Sequence, residues 1–432
     1  MSRCGGLSRR DFFGRAAAAG ALGLAAPYVV PTHAFGANER LGIGGIGPGR
    51  QGRGLLGMPS SQLLAVADVN LPRAEAIAAR TKCKAFQDYR KLLELKEIDA
   101  VVVSTPDHWH ALCSIHACQA GKDVYVEKPM TLTIREGRKM AEAVEKHGRV
   151  LQVGSHQRSM GANLLGCELI RNGRIGKITR VIAANYPSPW EGKLPEQPVP
   201  KGLDWDMWCG PTQPVPYNKD LYTPRAQPGW ISFRPYSGGE MTGWGSHGLD
   251  QVQWALGMDN AGPIEVWTEG PKFNPPTYTK PEPRGRGERA CRTPKIFFRY
   301  PGGIVMELAN GPAGGAIFIG EKGKITINRG RCTSDPPEIA KQAIKDGETR
   351  LYKSTNHKAD FVACIKSRKQ PAAPVEAGHR SATVCHLGNI ARWLSGRKLT
   401  WDPATEQFVG DDEANTYIDR PRRKPWAIPD QV

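Results

Sequence analysis

The sequence predicts an α/β protein: an N-terminal doubly wound parallel sheet, followed by an α+β domain with a mostly antiparallel, open-faced sheet. Three observations carry that expectation. Strand-like and helix-like segments alternate from Glu39 to Ser155. A glycine loop, Gly47-Pro48-Gly49-Arg50-Gln51-Gly52, follows the first strand, and an aspartate, Asp68, closes the second. Beyond Ser155 the rhythm changes to apolar runs joined by short turns. At roughly 150 residues per domain, 432 residues suit two or three domains. With 40% hydrophobic and 23% charged residues, the composition allows packed interiors and excludes wholesale disorder.

Residues 1–37 read as an export address. Ser8-Arg9-Arg10-Asp11-Phe12-Phe13 precedes an Ala/Gly-rich apolar stretch from Ala16 to Val30. Paired arginines, aromatics and a weakly hydrophobic segment, in that order, match a bacterial twin-arginine signal. The stretch is too short and glycine-rich for a stable membrane-spanning helix, and no cysteine follows it to carry a lipid. Cleavage is expected between Ala34 and Ala37, giving a periplasmic protein without a stable membrane anchor. That route moves folded proteins, so a nucleotide enzyme using it is expected to carry its cofactor tightly bound.

Residues 38–155 form the expected nucleotide-binding domain. Strands are placed at Arg40–Ile46, Gln62–Ala67, Ile98–Ser104, Asp123–Val126 and Val150–Val153, with a helix beginning near Arg50. In the glycine loop, Gly47 permits a tight turn, Gly49 lets backbone approach a pyrophosphate, and Gly52 allows close packing of helix on strand. The helix start at Arg50 is expected to present N–H groups and a positive dipole to phosphates. Asp68 suits the ribose hydroxyls of NAD and Arg73 the 2′-phosphate of NADP, so both cofactors stand open.

Two more motifs follow strands: Ser104-Thr105-Pro106-Asp107-His108-Trp109-His110 and Val126-Glu127-Lys128-Pro129. Together with the glycine loop, the stretch Gly239–Asp250 and the turn Gly320-Glu321-Lys322-Gly323, they resemble the Gfo/Idh/MocA family of NAD(P)-dependent sugar and inositol oxidoreductases. The resemblance covers nearly all of the chain past residue 37. It implies that Lys128 hydrogen-bonds the reacting hydroxyl and stabilises the developing alkoxide, and that Pro129 holds a cis turn aiming Lys128 into the cleft. It places Glu127 against the cofactor, Thr105 and Pro106 along the nicotinamide–ribose pocket, and His110 as its cap. His108 and His110 would equally serve as satisfied histidines at a helix start. His247 would be the general base, with Asp250 gripping a neighbouring hydroxyl or orienting His247. Many relatives carry an aspartate four residues before that histidine, where this chain has Gly243.

Residues 156–400 form the expected substrate-binding and oligomerisation domain. A helix is expected from Ser155 to Asn172, then strands at Ile178–Asn185, Ile264–Thr268, Lys295–Tyr300, Ile304–Leu308, Ala316–Ile319 and Lys324–Asn328. Pro301-Gly302-Gly303 and Glu321-Lys322-Gly323 read as hairpin turns, and Pro187–Tyr236 and Pro271–Pro283 as long loops. Arg158 with Gln157 suits sugar hydroxyls, and Tyr186, Trp190, Trp230, Arg234 and Tyr236 suit stacking on a pyranose and bonding its rim. His379, Arg380 and His386 share one helical segment that is a further candidate to approach the site. Residues 401–432 read as a C-terminal arm packed over the body or over a neighbouring subunit.

The net charge of +17 is spread: residues 1–37 hold four basic against one acidic residue, 38–155 hold 17 against 13, and 156–432 hold 38 against 28. No basic helix results, which argues against nucleic acid as a partner. Ten cysteines form no C-x-x-C pair, and no metal set is expected. The leading expectation is an exported NAD(P)-dependent oxidoreductase acting on a small sugar, glycoside or cyclitol, as a homodimer or homotetramer. Two alternatives stand beside it: a redox-neutral NAD-dependent glycoside hydrolase, and a non-catalytic, cofactor-bound sugar-binding protein.

Overall fold

Six parallel strands build the first half of the computed structural model, which describes residues 40–224, 229–280, 283, 288–430 and 432. They are β1 (Leu41–Ile46), β2 (Ser61–Ala67), β3 (Lys84–Phe86), β4 (Ala100–Val103), β5 (Asp123–Val126) and β6 (Leu151–Val153), in the spatial order β3-β2-β1-β4-β5-β6. The strand order reverses between β1 and β4, and a ligand crevice lies outside the carboxyl ends at such a switch point. β1 is buried throughout and carries three glycines. A Cβ on Gly42, Gly44 or Gly45 would lie within 2.6 Å of Glu97, Leu92 or Leu56 respectively, so the glycines let both flanking layers close on the strand. The export address, including the stretch Ala16–Val30, lies outside the described residues, among which no helix is long and apolar enough to cross a membrane.

The helix expected near Arg50 is absent. The chain makes one 3₁₀ turn, Gly52–Gly54, and returns to β2. Four glycines and a proline between Gly49 and Pro59 disfavour a longer helix at about 1 kcal/mol per glycine. The helix expected from Ser155 is likewise a 3₁₀ turn, His156–Ser159, followed by the helix Gly161–Arg171.

Past β6 come β7 (Ile178–Ala184), a small pair β8 (Glu191–Gly192) and β10 (Thr277–Tyr278), and β9 (Glu265–Glu269). Then follow β11 (Lys295–Arg299), β12 (Val305–Ala309), β13 (Ala316–Gly320), β14 (Gly323–Asn328), β15 (Arg331–Asp335), β16 (Lys398–Asp402) and β17 (Gln407–Phe408). Nine of them form one sheet in the order β15-β14-β13-β7-β12-β11-β9-β16-β17, antiparallel except where β7 meets β12. The hairpin turns fall where expected, joining β11 to β12 and β13 to β14. The helices Gly161–Arg171, Gly245–Leu256 and Val375–Trp393 cover one face, and Val181, Phe298, Met306 and Phe318 point into the core between.

The two halves interlock. Val375–Trp393 also packs on the helix Ile134–Lys146 of the first half. The long loop from Pro187 to Tyr236 reaches back over the end of β2, where Leu71 N–H donates to Gly202 O (3.0 Å) and Asp204 N–H to Val69 O (2.9 Å). β16 spans the boundary expected at residue 400, so the arm starts later. That arm lies over its own chain: Trp426 packs edge-on against Trp109 at 5.0 Å, and Arg420 and Arg422 pair with buried Glu136 at 3.3 and 3.1 Å.

Candidate active site

The glycine loop is shaped by its neighbours. Gly47 has φ +65°, and a Cβ there would lie 2.6 Å from the Thr105 side chain, so only glycine joins β1 to this turn. A Cβ on Gly52 would lie 2.1 Å from Ser104 Oγ, which fixes the close packing of the 3₁₀ turn on the end of β4. Gly49 differs, because its Cβ position meets nothing nearer than 3.9 Å. Beside this opening Thr105 Oγ1 is buried without a hydrogen-bond partner. An open backbone position and an orphaned hydroxyl at one crevice fit a nucleotide cofactor. Arg50 and Gln51 line a cleft of about 360 Å³ with His156, Asn356, His357 and Lys358, and the Lys358 ammonium clips the loop by donating to Gly57 O at 3.0 Å.

Asp68 lies at the end of β2, as placed from the sequence. It accepts from Asn70 N–H (2.9 Å) and pairs with Arg73 (3.1 Å), whose guanidinium also donates to the Tyr222 hydroxyl (2.6 Å). Burial raises the Asp68 pKa, and the Arg73 charge only partly offsets it.

At the end of β5 the Lys128–Pro129 bond is cis and Lys128 Nζ donates to Gly243 O at 3.0 Å. Gly243 lies two residues before the helix Gly245–Leu256, whose first turn carries buried His247. Glu127 accepts from the Lys128 N–H (3.2 Å) and lies 3.7 Å from His156 Nε2, which in turn meets the Tyr125 hydroxyl at 3.0 Å. Burial pushes the Glu127 carboxyl up, but the His156 hydrogen bond and the Lys128 charge outweigh it and hold it below its usual value. His110 is a staple rather than a cap. Its ring nitrogens meet Thr105 O at 2.9 Å and Pro129 O at 2.7 Å, tying the two motif turns together.

Several expected binders are committed elsewhere. Asp250 accepts from Arg158 Nε at 3.0 Å and from the Ser381 hydroxyl at 2.8 Å, and is only 2% exposed, so it holds a buried ion pair instead of a substrate hydroxyl. Arg158 is closed in by Asp250, Asp259 (2.7 Å) and the Trp254 ring. Tyr186 is a core residue whose hydroxyl donates to Ala313 O at 2.8 Å. The Arg234 guanidinium stacks on Trp393 at 4.2 Å, and Trp230 packs against an aromatic cluster that includes Trp190, Phe233 and Tyr236. His108 bonds Trp208 O at 2.8 Å and burial lowers its pKa to about 3, making it a satisfied core histidine. His379 and Arg380 are spent on Glu406, and His386 is buried beside Thr131.

Two further groups, neither singled out by the sequence, stand at this centre. Asp107, 2% exposed, accepts from the Ser237 hydroxyl at 2.6 Å and feels the charges of His110, Lys128 and Glu240. Tyr222, from the second half of the chain, accepts from the Arg73 guanidinium that pairs with Asp68. Asp107 follows Thr105-Pro106 directly, so the motif itself was the available signal; Tyr222 lay in a loop with none.

Comparison with known proteins accords with this layout. The family model described as oxidoreductase family, C-terminal alpha/beta domain, matches residues 163–428, and that described as oxidoreductase family, NAD-binding Rossmann fold, matches residues 41–155. The chain belongs to the Gfo/Idh/MocA oxidoreductase family. A scyllo-inositol 2-dehydrogenase (NAD(+)) of Bacillus subtilis is 33% identical over 138 residues, 32% of this Gfo/Idh/MocA chain and 40% of that protein. The chain thus matches less than half the length of that relative. Among solved structures, an aldose–aldose oxidoreductase from Caulobacter crescentus complexed with glycerol superposes with a TM-score of 0.57 at 18% identity. The WlbA dehydrogenase from Bordetella pertussis, in complex with NADH and UDP-GlcNAcA, gives 0.57 at 20% identity. Each match covers 84% of this chain and 99% of the other, and at these identities it speaks to the fold alone.

Proposed function

We propose that this protein is an NAD-dependent oxidoreductase that moves hydride between a retained nicotinamide cofactor and a hydroxyl-bearing ring carbon of a sugar, glycoside or cyclitol. The observation that carries the reading is the bond from Lys128 Nζ to Gly243 O, which brings a strand-end ammonium to the start of the helix bearing His247. Bound NAD would supply the hydride acceptor. Lys128 would donate to the substrate oxygen and stabilise its negative charge as the hydroxyl proton departs. His247 would accept that proton, as the base suited to neutral pH. Thr105 Oγ1 would bond the cofactor within the pocket that it lines with Pro106, and Gly47, Gly49 and Arg50 would hold the phosphates.

Asp68 and Arg73 favour NAD over NADP. The guanidinium that would meet a 2′-phosphate is already spent on Asp68 and Tyr222, and a carboxylate facing the ribose repels phosphate. The loop carrying Tyr222 straps the same corner with backbone bonds, which favours slow release of the nucleotide. Retention suits an enzyme exported through the twin-arginine route, which is where we place it, and suits a cycle in which hydride returns to the substrate before product leaves. Glycoside hydrolysis by transient oxidation is the form of that cycle favoured by the strap. We also assign the face of the large sheet opposite its three helices, with Trp267 and Phe297 stacked on it at 5.5 Å, to a contact between copies of this chain.

The test is to purify the mature protein without added nucleotide, release whatever is bound with acid and identify it. NAD or NADH in near-stoichiometric amount is expected. NADP, or an empty protein that binds neither nucleotide, contradicts the reading.

A further inference from the structure

We propose that Glu240 is the positioning carboxylate of the reaction centre, reaching into the space above Gly243 that a side chain at that position would fill. The proposal rests on the oxidoreductase reading above. Glu240 opens the short helix Glu240–Gly243 and is 6% exposed, a degree of burial that is costly for a carboxylate unless it is paired. A Cβ on Gly243 would lie 2.7 Å from Glu240 Oε2 and 3.3 Å from Ile231 Cδ1, so the position beside Gly243 Cα is taken by the carboxylate. Nothing in the backbone requires glycine here: Gly243 is helical and is absent from the glycines with positive φ. The glycine therefore serves to admit Glu240.

The same residue receives Lys128. Its carbonyl accepts the ammonium at 3.0 Å while its α-carbon abuts the Glu240 carboxylate, so lysine and glutamate lean on one residue. Asp107 responds to both, drawn down by the Lys128 charge and up by that of Glu240, which places all three in one electrostatic neighbourhood. In that arrangement Glu240 keeps the Lys128 ammonium aimed, by way of Gly243, while it donates to the substrate oxygen. It also delivers, from one helical turn earlier, a negative charge to a place that Gly243 itself leaves bare.

The experiment compares nucleotide-loaded wild type with Glu240→Gln, Glu240→Ala and the double change Glu240→Ala with Gly243→Asp. Glu240→Gln should lower kcat about 10²-fold with KM little changed. The double variant should recover most of the activity that Glu240→Ala loses, because a carboxylate returns to the same space by the shorter route. Acetylation of Lys128 at one fixed pH, followed by mass spectrometry, supplies a readout without turnover, and it should be faster in Glu240→Gln, where the ammonium is less firmly placed. A Gln variant with wild-type kcat and an unchanged rate of Lys128 acetylation overturns the proposal, as does a folded double variant no faster than Glu240→Ala. If the wild type turns over no polyol, the oxidoreductase reading fails separately, and the rate of Lys128 acetylation still decides whether Glu240 positions that ammonium.

Discussion

Burial raises the Asp107 pKa to about 6, overcoming His110, the Ser237 hydrogen bond and Lys128, all of which lower it, while Glu240 raises it further. A carboxyl with a folded pKa above its unfolded value of 3.8 stabilises the fold below about pH 4, and loses that contribution as pH rises through about 6. The gap of about two units corresponds to roughly 3 kcal/mol. Asp107→Asn, which stays neutral, should therefore gain stability relative to wild type as pH rises from about 4 to about 7. Urea midpoints of the two proteins at those pH values check this, and a difference that does not change with pH would contradict it. Residues of this kind explain the limits of reading a site from sequence. Lys128, Glu127, Gly47, Asp68 and Thr105 were legible because each sits at the end of a recognisable strand, where the local pattern alone fixes its place. Asp250 was misread because its partner Arg158 lies 92 positions away, and no local spacing reveals an ion pair closed by folding. The Thr105-Pro106 motif marks the place of Asp107, but the chemistry of Asp107 and Glu240 was not legible for the same reason, since it comes from burial and from charges contributed by distant segments.

The glycine loop behaves as an element whose three glycines do different work, and substitutions should separate them. Gly52→Ala drives a methyl to 2.1 Å from Ser104 Oγ and should cost about 1–3 kcal/mol of stability. Gly49→Ala meets open space and should leave the melting temperature near wild type while weakening nucleotide binding, because the methyl occupies the approach to the phosphates. Thermal melts with and without added NAD distinguish the two; equal destabilisation by both substitutions would contradict the assignment. Most strands were legible from apolar runs bounded by turns. β3 was missed because three half-exposed residues carry no periodicity, and β15 because Arg331-Cys332-Thr333-Ser334-Asp335 is a polar edge strand with no buried face to mark it. The helix at Arg50 was over-read: the glycine motif suggested it, but the remaining glycines and Pro59 left too little chain with helical propensity.

Across the whole molecule, distant segments close the cleft. The Pro187–Tyr236 loop covers the nucleotide half at β2, Lys358 clips the glycine loop, and the C-terminal arm returns to Trp109 and Glu136. The fold class was legible from the change of rhythm at Ser155, but these closures were not, because they join segments hundreds of residues apart with no shared pattern. Trp426 is 6% exposed and packs on Trp109 in the helix that follows the Thr105-Pro106 turn. Trp426→Ala should cost about 3 kcal/mol or more, seen as a lower urea midpoint; an unchanged midpoint would mean that the arm is not part of the folded core. On the proposed function, Lys128, held between the two halves, manages the oxygen of a hydroxyl whose carbon gives hydride to bound NAD. The most direct test mixes NAD-loaded protein with a panel of cyclitols, aldoses and glycosides and follows the absorbance of reduced nicotinamide in a single turnover, for wild type and for Lys128→Ala. Rapid reduction by at least one of these compounds is expected in wild type, with a loss of about 10²–10³-fold or more in a variant that still holds its nucleotide. Reduction at the wild-type rate in nucleotide-loaded Lys128→Ala, or none by any of them in wild type, would contradict it.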